Sequence, residues 1–306
     1  MQKLKDVMWP LAVVFCFCEI SFGPDASGQD SGPKSSRLSG EFLRVNRDDR
    51  NQPTELQTSI VSYVLADGSD GELQVDLVGA IHIADKGYFE KLNEQFKKYD
   101  VLLYELVAPD GARPTLGATD TGPGPRHPLT ALQQGMKDLL ELEFQLECVD
   151  YSKDNFVHAD MTPAEFAKSM ETREESLMQI VFRSIGQGIA AQSTGANGAS
   201  DAQIMLALFS KDRAHKLKRA FASQFENIDG QMSVFIGPQG STIITERNKK
   251  ALQVLSKEIA AGRKRIGIFY GAGHLADMEK RLISDFQLKR ASETWLTAWS
   301  LGQKQK

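Results

Sequence analysis

Cysteine is almost absent from this chain of 306 residues. Two of its three cysteines lie in the first 18 residues, so that Cys148 alone remains once that segment is removed. A single cysteine cannot form an internal disulfide bond, and the fold must therefore depend on its hydrophobic core. We expect Cys148 to be buried and inert, because no residue near it in sequence supplies the base that a cysteine nucleophile needs.

The sequence also lacks a basic excess and the motifs of several common enzyme classes. Its 36 basic and 40 acidic residues give a net charge of −4, which argues against a nucleic-acid partner. It contains no P-loop, no HExxH and no GxSxG motif. We therefore expect neither nucleic-acid binding nor the chemistries that these motifs identify.

The apolar run near the N-terminus is too short to cross a bilayer comfortably. It extends over residues 7–18, is interrupted by Pro10 and follows Lys3 and Lys5, a pattern typical of a secretory signal peptide. We assign residues 1–26 to that signal peptide and predict export, to the periplasm or the extracellular space.

Composition predicts the rest of the domain organisation. Residues 27–40 are polar, rich in glycine and serine and without periodicity, which indicates a flexible linker. Residues 41–301 are long enough for one large α/β domain with a substantial core, and residues 302–306 form a short tail. Within the domain, we expect a helical insertion over about 127–240.

The stretch Val75–Val107 predicts a βαβ unit. Val75–Val78 and Val101–Leu106 are short apolar runs of the kind that fit strands buried on both faces. Between them, large apolar residues recur at helical spacing after an N-cap at Asp85. A crossover helix joining two parallel strands is the expected result.

Further elements are predicted around this unit. Residues 56–65 and 72–78 form a hairpin pattern, and the alternation over 286–301 indicates a closing antiparallel strand. Helices are expected over 129–146, after the capping box Thr162–Glu165, and over 241–262. The predicted fold class is α/β, with a mixed, centrally parallel sheet, antiparallel edge strands and helices on both faces.

Polar residues follow three of the apolar strands. His82 ends the sequence Gly79–His82 after the first strand, Glu105 ends the second strand, and His274 ends Gly271–His274 after a third apolar strand at 265–270. If these strands share one sheet, the three side chains converge at the edge where open α/β sheets bind ligands. Two imidazoles and a carboxylate suit a metal site or acid–base chemistry.

The glycines of these two GxxH sequences predict contact with a substrate. Gly79, Gly271 and Gly273 would allow a ligand to approach the backbone closely, and we assign them as substrate-binding residues. A histidine that follows them lies at a helix N-terminus, which lowers the pKa of an imidazole and favours its neutral form.

Two residue pairs outside these motifs are further site candidates. His158 and Asp160 directly precede a helix, where they either line the site or tie the entry loop to the helix. Arg247 and Asn248 begin another helix, and Asn248 shares a face with Leu252, Leu255 and Ile259. This register favours a site role for Arg247 or Asn248 over a surface role.

Two other polar stretches have less defined roles. Residues 108–128 are rich in proline and glycine and leave from the predicted site, which indicates either a lid or a disordered insertion. His127 belongs to this stretch and is not expected to be catalytic. The basic stretch 211–219, which includes His215, is predicted to be a solvated helix face.

Four motifs together resemble those of the TraB/GumN/TIKI superfamily, whose fold is related to the erythromycin-esterase and ChaN-like group. In chain order they are Gly79–His82, Tyr104–Leu106, Glu246–Asn248 and Gly271–Leu275. The resemblance spans roughly residues 73–286, and Phe156–Asp160 shares it more loosely.

This resemblance implies a membrane-associated or secreted metalloprotease that uses a divalent metal, manganese or cobalt before zinc. His82 and His274 would be metal ligands or acid–base groups, and Glu105 a ligand or general base. Arg247 and Asn248 would stabilise the oxyanion. His158 and Asp160 are further catalytic candidates because of their position before a helix, and not because of the resemblance.

We therefore expect a metal-dependent hydrolase that cleaves a peptide or protein substrate. Two alternatives stay open: an exported protein that sequesters a peptide or other ligand without catalysis, and a metal-independent hydrolase. In the second, His82 would be the base and Glu105 its orienting partner. The sequence does not predict an oligomeric state.

Overall fold

The computed structural model describes residues 42–69, 71–114, 139–176, 210, 212–222 and 240–302. The predicted signal peptide and linker, His127 and most of the predicted helical insertion lie outside these residues. Within the described ranges, no helix is both long enough and apolar enough to cross a membrane.

Strands and helices alternate through most of the described chain. The strands are β1 (Leu43–Arg47), β2 (Pro53–Leu65), β3 (Gln74–Ala80), β4 (Ile83–Ala84), β5 (Val101–Tyr104), β6 (Glu143–Phe144), β7 (Phe156–His158), β8 (Arg265–Gly271) and β9 (Leu288–Ser300). The helices are α1 (Lys86–Phe96), α2 (Gln145–Cys148), α3 (Pro163–Thr172), α4 (Arg213–Ala222), α5 (Arg247–Ala260) and α6 (Ala272–Asp285). A π-helical turn, Thr242–Glu246, leads into α5.

The main sheet contains four parallel strands, in the order β3–β8–β5–β7, with β7 at one edge of the sheet. The long strand β2 is antiparallel to β3, and its other side pairs along its length with β9. Strand β1 pairs with the first part of β2, while β4 and β6 form a separate two-stranded sheet. The predicted α/β fold with a mixed, centrally parallel sheet and antiparallel edge strands is confirmed.

One predicted neighbour relation is wrong. The sequence predicted that the strands before His82 and Glu105 would be adjacent, but β8 lies between β3 and β5 and pairs with both. The crossover through α1 therefore connects two strands, β3 and β5, that are not adjacent, and β8 lies between them. As a result, the two strands that carry the GxxH sequences are direct neighbours, with Ala80 paired to Gly271.

Helices cover both faces of the sheet, because successive apolar residues of its strands point to opposite faces. Leu102 and Tyr104 of β5 belong to the core cluster beneath α1, whereas Val101 and Leu103 belong to the cluster beneath α5 and α6. Strands that are apolar on both sides must be covered on both sides, because neither face can be left to water. The candidate site lies on the α5–α6 side, at the carboxyl ends of the parallel strands.

The start of α1 holds the sheet and helix α4 together. Asp85 occupies the predicted N-cap position, yet its side chain makes no capping bond. Its carboxylate instead accepts hydrogen bonds from Lys218 Nζ at 2.7 Å and from the backbone N–H of Ser300 at 2.6 Å. Lys218 is 8% exposed, so the predicted solvated face is wrong at this residue.

The helix predicted over 129–146 is confirmed at residues 139–140, the first described residues of that span, but it is interrupted directly after them. Glu141 has a φ of 52°, a left-handed conformation that ends a right-handed helix. Glu143 and Phe144 then pair with β4, and the short helix α2 begins at Gln145. The strand pairing overrides the helical spacing of the apolar residues, and it places Gln145 directly beside the chain at His82.

Two predicted helix signals are confirmed. Thr162 and Glu165 form the reciprocal capping box that begins α3, with Pro163 as its first residue. In α5, Asn248 is buried together with Leu252 and Leu255, as the predicted shared face requires. The second helix therefore directs an amide group into the protein interior.

Candidate active site

The ends of β5 and β8 bring Glu105 and His274 together. Glu105 follows β5, and one of its oxygens, Oε2, accepts a hydrogen bond from the backbone N–H of Gly271 at 2.7 Å. His274 lies in the first turn of α6, and its Nε2 is 3.5 Å from Oε1 of Glu105. Both side chains are at least 89% buried, being 11% and 7% exposed.

Arg247 joins Glu105 to Asp160. Its Nη2 donates to Glu105 Oε1 at 2.6 Å and to Asp160 Oδ2 at 2.5 Å, and its Nε donates to Asp160 Oδ1 at 3.0 Å. Asp160 is 1% exposed, and Met161 donates a backbone N–H to it at 2.7 Å. The guanidinium is thus occupied by two carboxylates, which favours a role in fixing Glu105 over the predicted oxyanion contact.

The carboxyl group of Glu105 stays ionised near neutral pH. Burial on its own would raise its pKa, but the charge of Arg247 and the N–H of Gly271 outweigh burial and hold the pKa well below its usual range. A carboxylate so strongly stabilised is a weak base. The geometry therefore favours a metal ligand or fixed anion over the general base that was the other predicted role of Glu105.

Asn248 fixes the tautomer of His274. Its Nδ2 donates to the carbonyl of His274 at 3.0 Å and to Asp277 Oδ2 at 2.9 Å, so that its Oδ1 is the acceptor. His274 Nδ1 lies 2.7 Å from that oxygen and must carry the proton. This leaves a lone pair on Nε2, directed at Glu105. Asn248 is fully buried and orients His274, in place of the predicted oxyanion contact.

His274 is neutral over most of the physiological pH range. Burial lowers its pKa to about 4, despite the opposing charge of Glu105. The pKa of His274 is thus lowered, as predicted, but the main cause is burial and not the helix N-terminus. The helix-end argument applies to His274 alone, because β4 separates His82 from the start of α1.

His82 lies close to this pair but is oriented by a different residue. Its ring is near enough to influence both Glu105 and His274 electrostatically. Its Nδ1, however, lies 3.1 Å from Oε1 of Gln145. The metal-independent alternative required Glu105 to orient His82, and the structure gives that position to Gln145.

The predicted pair His158 and Asp160 separates in the structure. Asp160 reaches the site through Arg247, whereas His158 Nε2 donates to the carbonyl of Leu106 at 2.6 Å. The His158 ring also packs against Tyr104, with 5.7 Å between ring centroids. His158 thus neither lines the site nor ties its entry loop to α3, the two interpretations left open, and instead holds the loop that follows β5.

That loop begins the predicted lid, and its first residues are held against the sheet. Tyr104 donates from its hydroxyl to the carbonyl of Ala112 at 2.5 Å. Arg113 donates to the carbonyls of Ser152 and Phe156 at 3.0 and 3.2 Å. Residues 115–128 lie outside the described residues, so the choice between lid and insertion stays a prediction.

Of the three predicted substrate-binding glycines, Gly271 contacts the site residues. A Cβ on Gly271 would lie 3.3 Å from Glu105 Oε2, so glycine permits the close approach of that carboxylate. A Cβ on Gly79 would meet the carbonyl of Ser59 at 3.2 Å, which indicates packing against β2. Gly273 lies partly exposed in the first turn of α6.

The donor atoms at this site suit a divalent metal in type and partly in spacing. Two ligands of one tetrahedral ion, each about 2.0–2.1 Å from it, are about 3.4 Å apart. The 3.5 Å between His274 Nε2 and Glu105 Oε1 matches this value. In the described part of the chain, however, no group of three or more histidine, cysteine or acidic side chains is arranged to hold a metal ion. His82 is the third donor of the predicted set.

The buried histidine predicts a pH dependence of stability in the metal-free protein. The unfolded chain binds a proton at His274 below about pH 6.5, whereas the folded chain does so only below about pH 4. The free energy of unfolding should therefore fall by about 3 kcal/mol as the pH drops across this window. The low pKa of Glu105 adds a further loss below about pH 4.5, with the same sign.

Urea denaturation of the metal-free protein at pH 7, 5.5 and 4 measures this loss. His274→Gln removes the titrating group, so the drop between pH 7 and pH 4 should be smaller in the variant whatever its absolute stability. Equal drops in the two proteins would show that His274 is not buried in its neutral form.

No family model, curated protein or solved structure matches this chain. The resemblance to the TraB/GumN/TIKI superfamily therefore stays a prediction that depends on the four motifs.

Proposed function

We propose that this chain is an exported metal-dependent hydrolase that cleaves a peptide or amide bond at the rim formed by His82, Glu105 and His274. The pattern of residues 1–26 supports export, and the resemblance of the motifs supports hydrolysis. The geometry adds the imidazole of a neutral His274 beside an ionised carboxylate, with the ring of His82 nearby, at the carboxyl ends of parallel strands, where α/β sheets bind their ligands.

A single contact carries the proposal. His274 Nε2 bears a lone pair and lies 3.5 Å from a carboxylate oxygen that is held ionised. A lone pair and an anion that face each other repel unless a positive group lies between them. A proton on His274 Nε2 could be that positive group, but burial disfavours the protonated form of His274. A metal cation bound between His274 Nε2 and Glu105 Oε1 would remove the repulsion instead.

Under this proposal, the side chains of the site have two kinds of role, metal binding and positioning. His274, Glu105 and His82 would hold the metal, which supplies Lewis-acid activation of water and of the scissile carbonyl. Arg247 holds Glu105 in place and keeps it anionic, and Asp160 anchors Arg247. Water adds to the carbonyl carbon, the C–N bond breaks, and the amine leaves with a proton that came from the water.

Cleavage of an unstructured peptide library tests the proposal. Metal-stripped protein is assayed with added Mn²⁺, Co²⁺ or Zn²⁺ and again with excess chelator, beside His82→Ala and His274→Ala. We expect cleavage that depends on one of these metals and is lost in both variants. His158→Ala is a matched control that should retain turnover, because His158 contacts a loop carbonyl and not the rim.

The opposite results are equally informative. A well-folded protein that cuts no peptide with any of the three metals would contradict the hydrolase proposal and favour an exported ligand-sequestering protein. Cleavage that persists in excess chelator would instead favour the metal-independent chemistry.

A further inference from the structure

We propose that Gln145 is a positioning residue that fixes the tautomer of His82 and directs its Nε2 lone pair toward the rim. This inference rests on the proposed function for its catalytic consequence. Its structural part, the protonation of one nitrogen rather than the other, can be measured without any substrate or metal.

Gln145 contacts His82 through both its backbone and its side chain. The backbone N–H of Gln145 donates to the carbonyl of His82 at 2.8 Å, where β4 and β6 bring the two segments together. Its side-chain Oε1 lies 3.1 Å from His82 Nδ1. The first contact fixes the position of the chain, and the second fixes the rotation of the ring.

The orientation of the Gln145 amide determines which His82 nitrogen carries the proton. Gln145 Nε2 donates to the hydroxyl of Tyr151 at 2.7 Å, so Oε1 is the acceptor that faces the imidazole. Both residues are buried, with Gln145 6% and Tyr151 1% exposed. His82 Nδ1 must then donate, and the lone pair is left on Nε2.

The second histidine of the rim is held in the same way by an unrelated segment. Asn248 presents its carboxamide oxygen to His274 Nδ1 at 2.7 Å, with its own amide nitrogen tied to two acceptors. Two carboxamides from different elements thus fix the same nitrogen of two histidines. In metal sites, the ring N–H of a ligating histidine is commonly held by an oxygen acceptor in this way, most often a carboxylate, a backbone carbonyl or water.

His158 gives an internal contrast. Its Nε2 lies 2.6 Å from the carbonyl of Leu106, which can only accept, so Nε2 carries the proton in this ring. The structure therefore predicts the Nδ1–H tautomer for His82 and His274 and the Nε2–H tautomer for His158. The chain has five histidines, few enough for each ring to be assigned.

Long-range ¹H–¹⁵N correlation spectra of the ¹⁵N-labelled, metal-free protein test this assignment directly. At pH 8 we expect the Nδ1–H pattern for His82 and His274 and the opposite pattern for His158. Gln145→Met keeps the size of the side chain but removes the acceptor, and it should shift His82 away from the Nδ1–H form. Gln145→Glu keeps an acceptor oxygen and should retain it.

The same variants give the functional readout. Loss of such a supporting contact typically costs about 10–100-fold in metal affinity or activity, which we expect for Gln145→Met. Gln145→Glu, which keeps an acceptor oxygen, should be less impaired than Gln145→Met. If Gln145 had only a structural role, Gln145→Glu would show no such recovery, because it adds a charge.

The spectra decide the inference independently of turnover. A wild-type His82 in the Nε2–H form, or an unchanged tautomer in Gln145→Met, would overturn it even if the enzyme is active. If the spectra agree with the assignment but no metal supports cleavage, the positioning role stands and the proposed function fails.

Discussion

Replacing Arg247 with methionine is expected to lower the free energy of unfolding at pH 7 by about 3–5 kcal/mol. The side chain is 10% exposed and is the shared partner of Glu105 and Asp160, which are themselves buried. Without the guanidinium, two carboxylates would face each other in a region from which water is largely excluded. Chemical denaturation of the wild type and the variant measures the loss.

Two controls separate this effect from the loss of an arginine as such. Arg263→Met changes an arginine whose side chain is 54% exposed and whose nearest carboxylate is 3.8 Å away, and it should change stability by about 0.5 kcal/mol or less. Adding Glu105→Gln and Asp160→Asn to Arg247→Met removes all three charges and should restore much of the loss. A loss below about 1 kcal/mol for Arg247→Met would contradict the buried charge cluster.

Glu105→Gln is expected to reduce metal-dependent turnover by about 10³-fold or more, the equivalent of about 4 kcal/mol of transition-state stabilisation. The substitution keeps the shape of the side chain but removes the anion that faces His274 Nε2. It also places an amide N–H₂ where Arg247 or Gly271 donates, so we expect a smaller loss in stability of about 1–3 kcal/mol. Turnover and unfolding are measured on the same preparation.

The chain offers a matched glutamate for comparison. Glu279 is 9% exposed and accepts hydrogen bonds from Tyr63 at 2.7 Å and Arg290 at 2.9 Å. Tyr63 pairs with Val75 at the start of β3, the end of the sheet opposite to the candidate site. Glu279→Gln should therefore lower stability without lowering turnover. Equal loss of turnover in the two variants would mean that the effect of Glu105→Gln is only one of folding.

Local patterns in the sequence predicted which strands and helices form. They predicted less well which strands lie next to each other in the sheet. The apolar runs of β3, β5 and β8 and the capping box of α3 depend on residues close in sequence, and each element is present. The position of β8 between β3 and β5 depends on pairing between residues more than 160 positions apart, such as Val101 and Ile266. No local pattern encodes such a pairing.

For the candidate site, the sequence predicted several of the residues better than it predicted their roles. His274 and Glu105 were recognisable because each follows an apolar strand, and Asn248 because it shares a face with apolar residues. The roles of Arg247 and Asn248 were less predictable, because they depend on which partner each side chain meets across the fold. Gln145 was missed, since the helical spacing around it concealed the strand pairing that brings it to His82.

Titration of the metal-stripped protein with Co²⁺, followed by calorimetry and visible absorption, would show whether the rim of His82, Glu105 and His274 binds a metal ion. We expect one bound ion per chain, loss of binding in His274→Ala and His82→Ala, and binding weakened by about 10–100-fold in Gln145→Met. His158→Ala should bind as the wild type does. A folded wild-type protein that binds no divalent ion, or that binds it equally well in all four variants, would contradict the claim that this rim is a metal site.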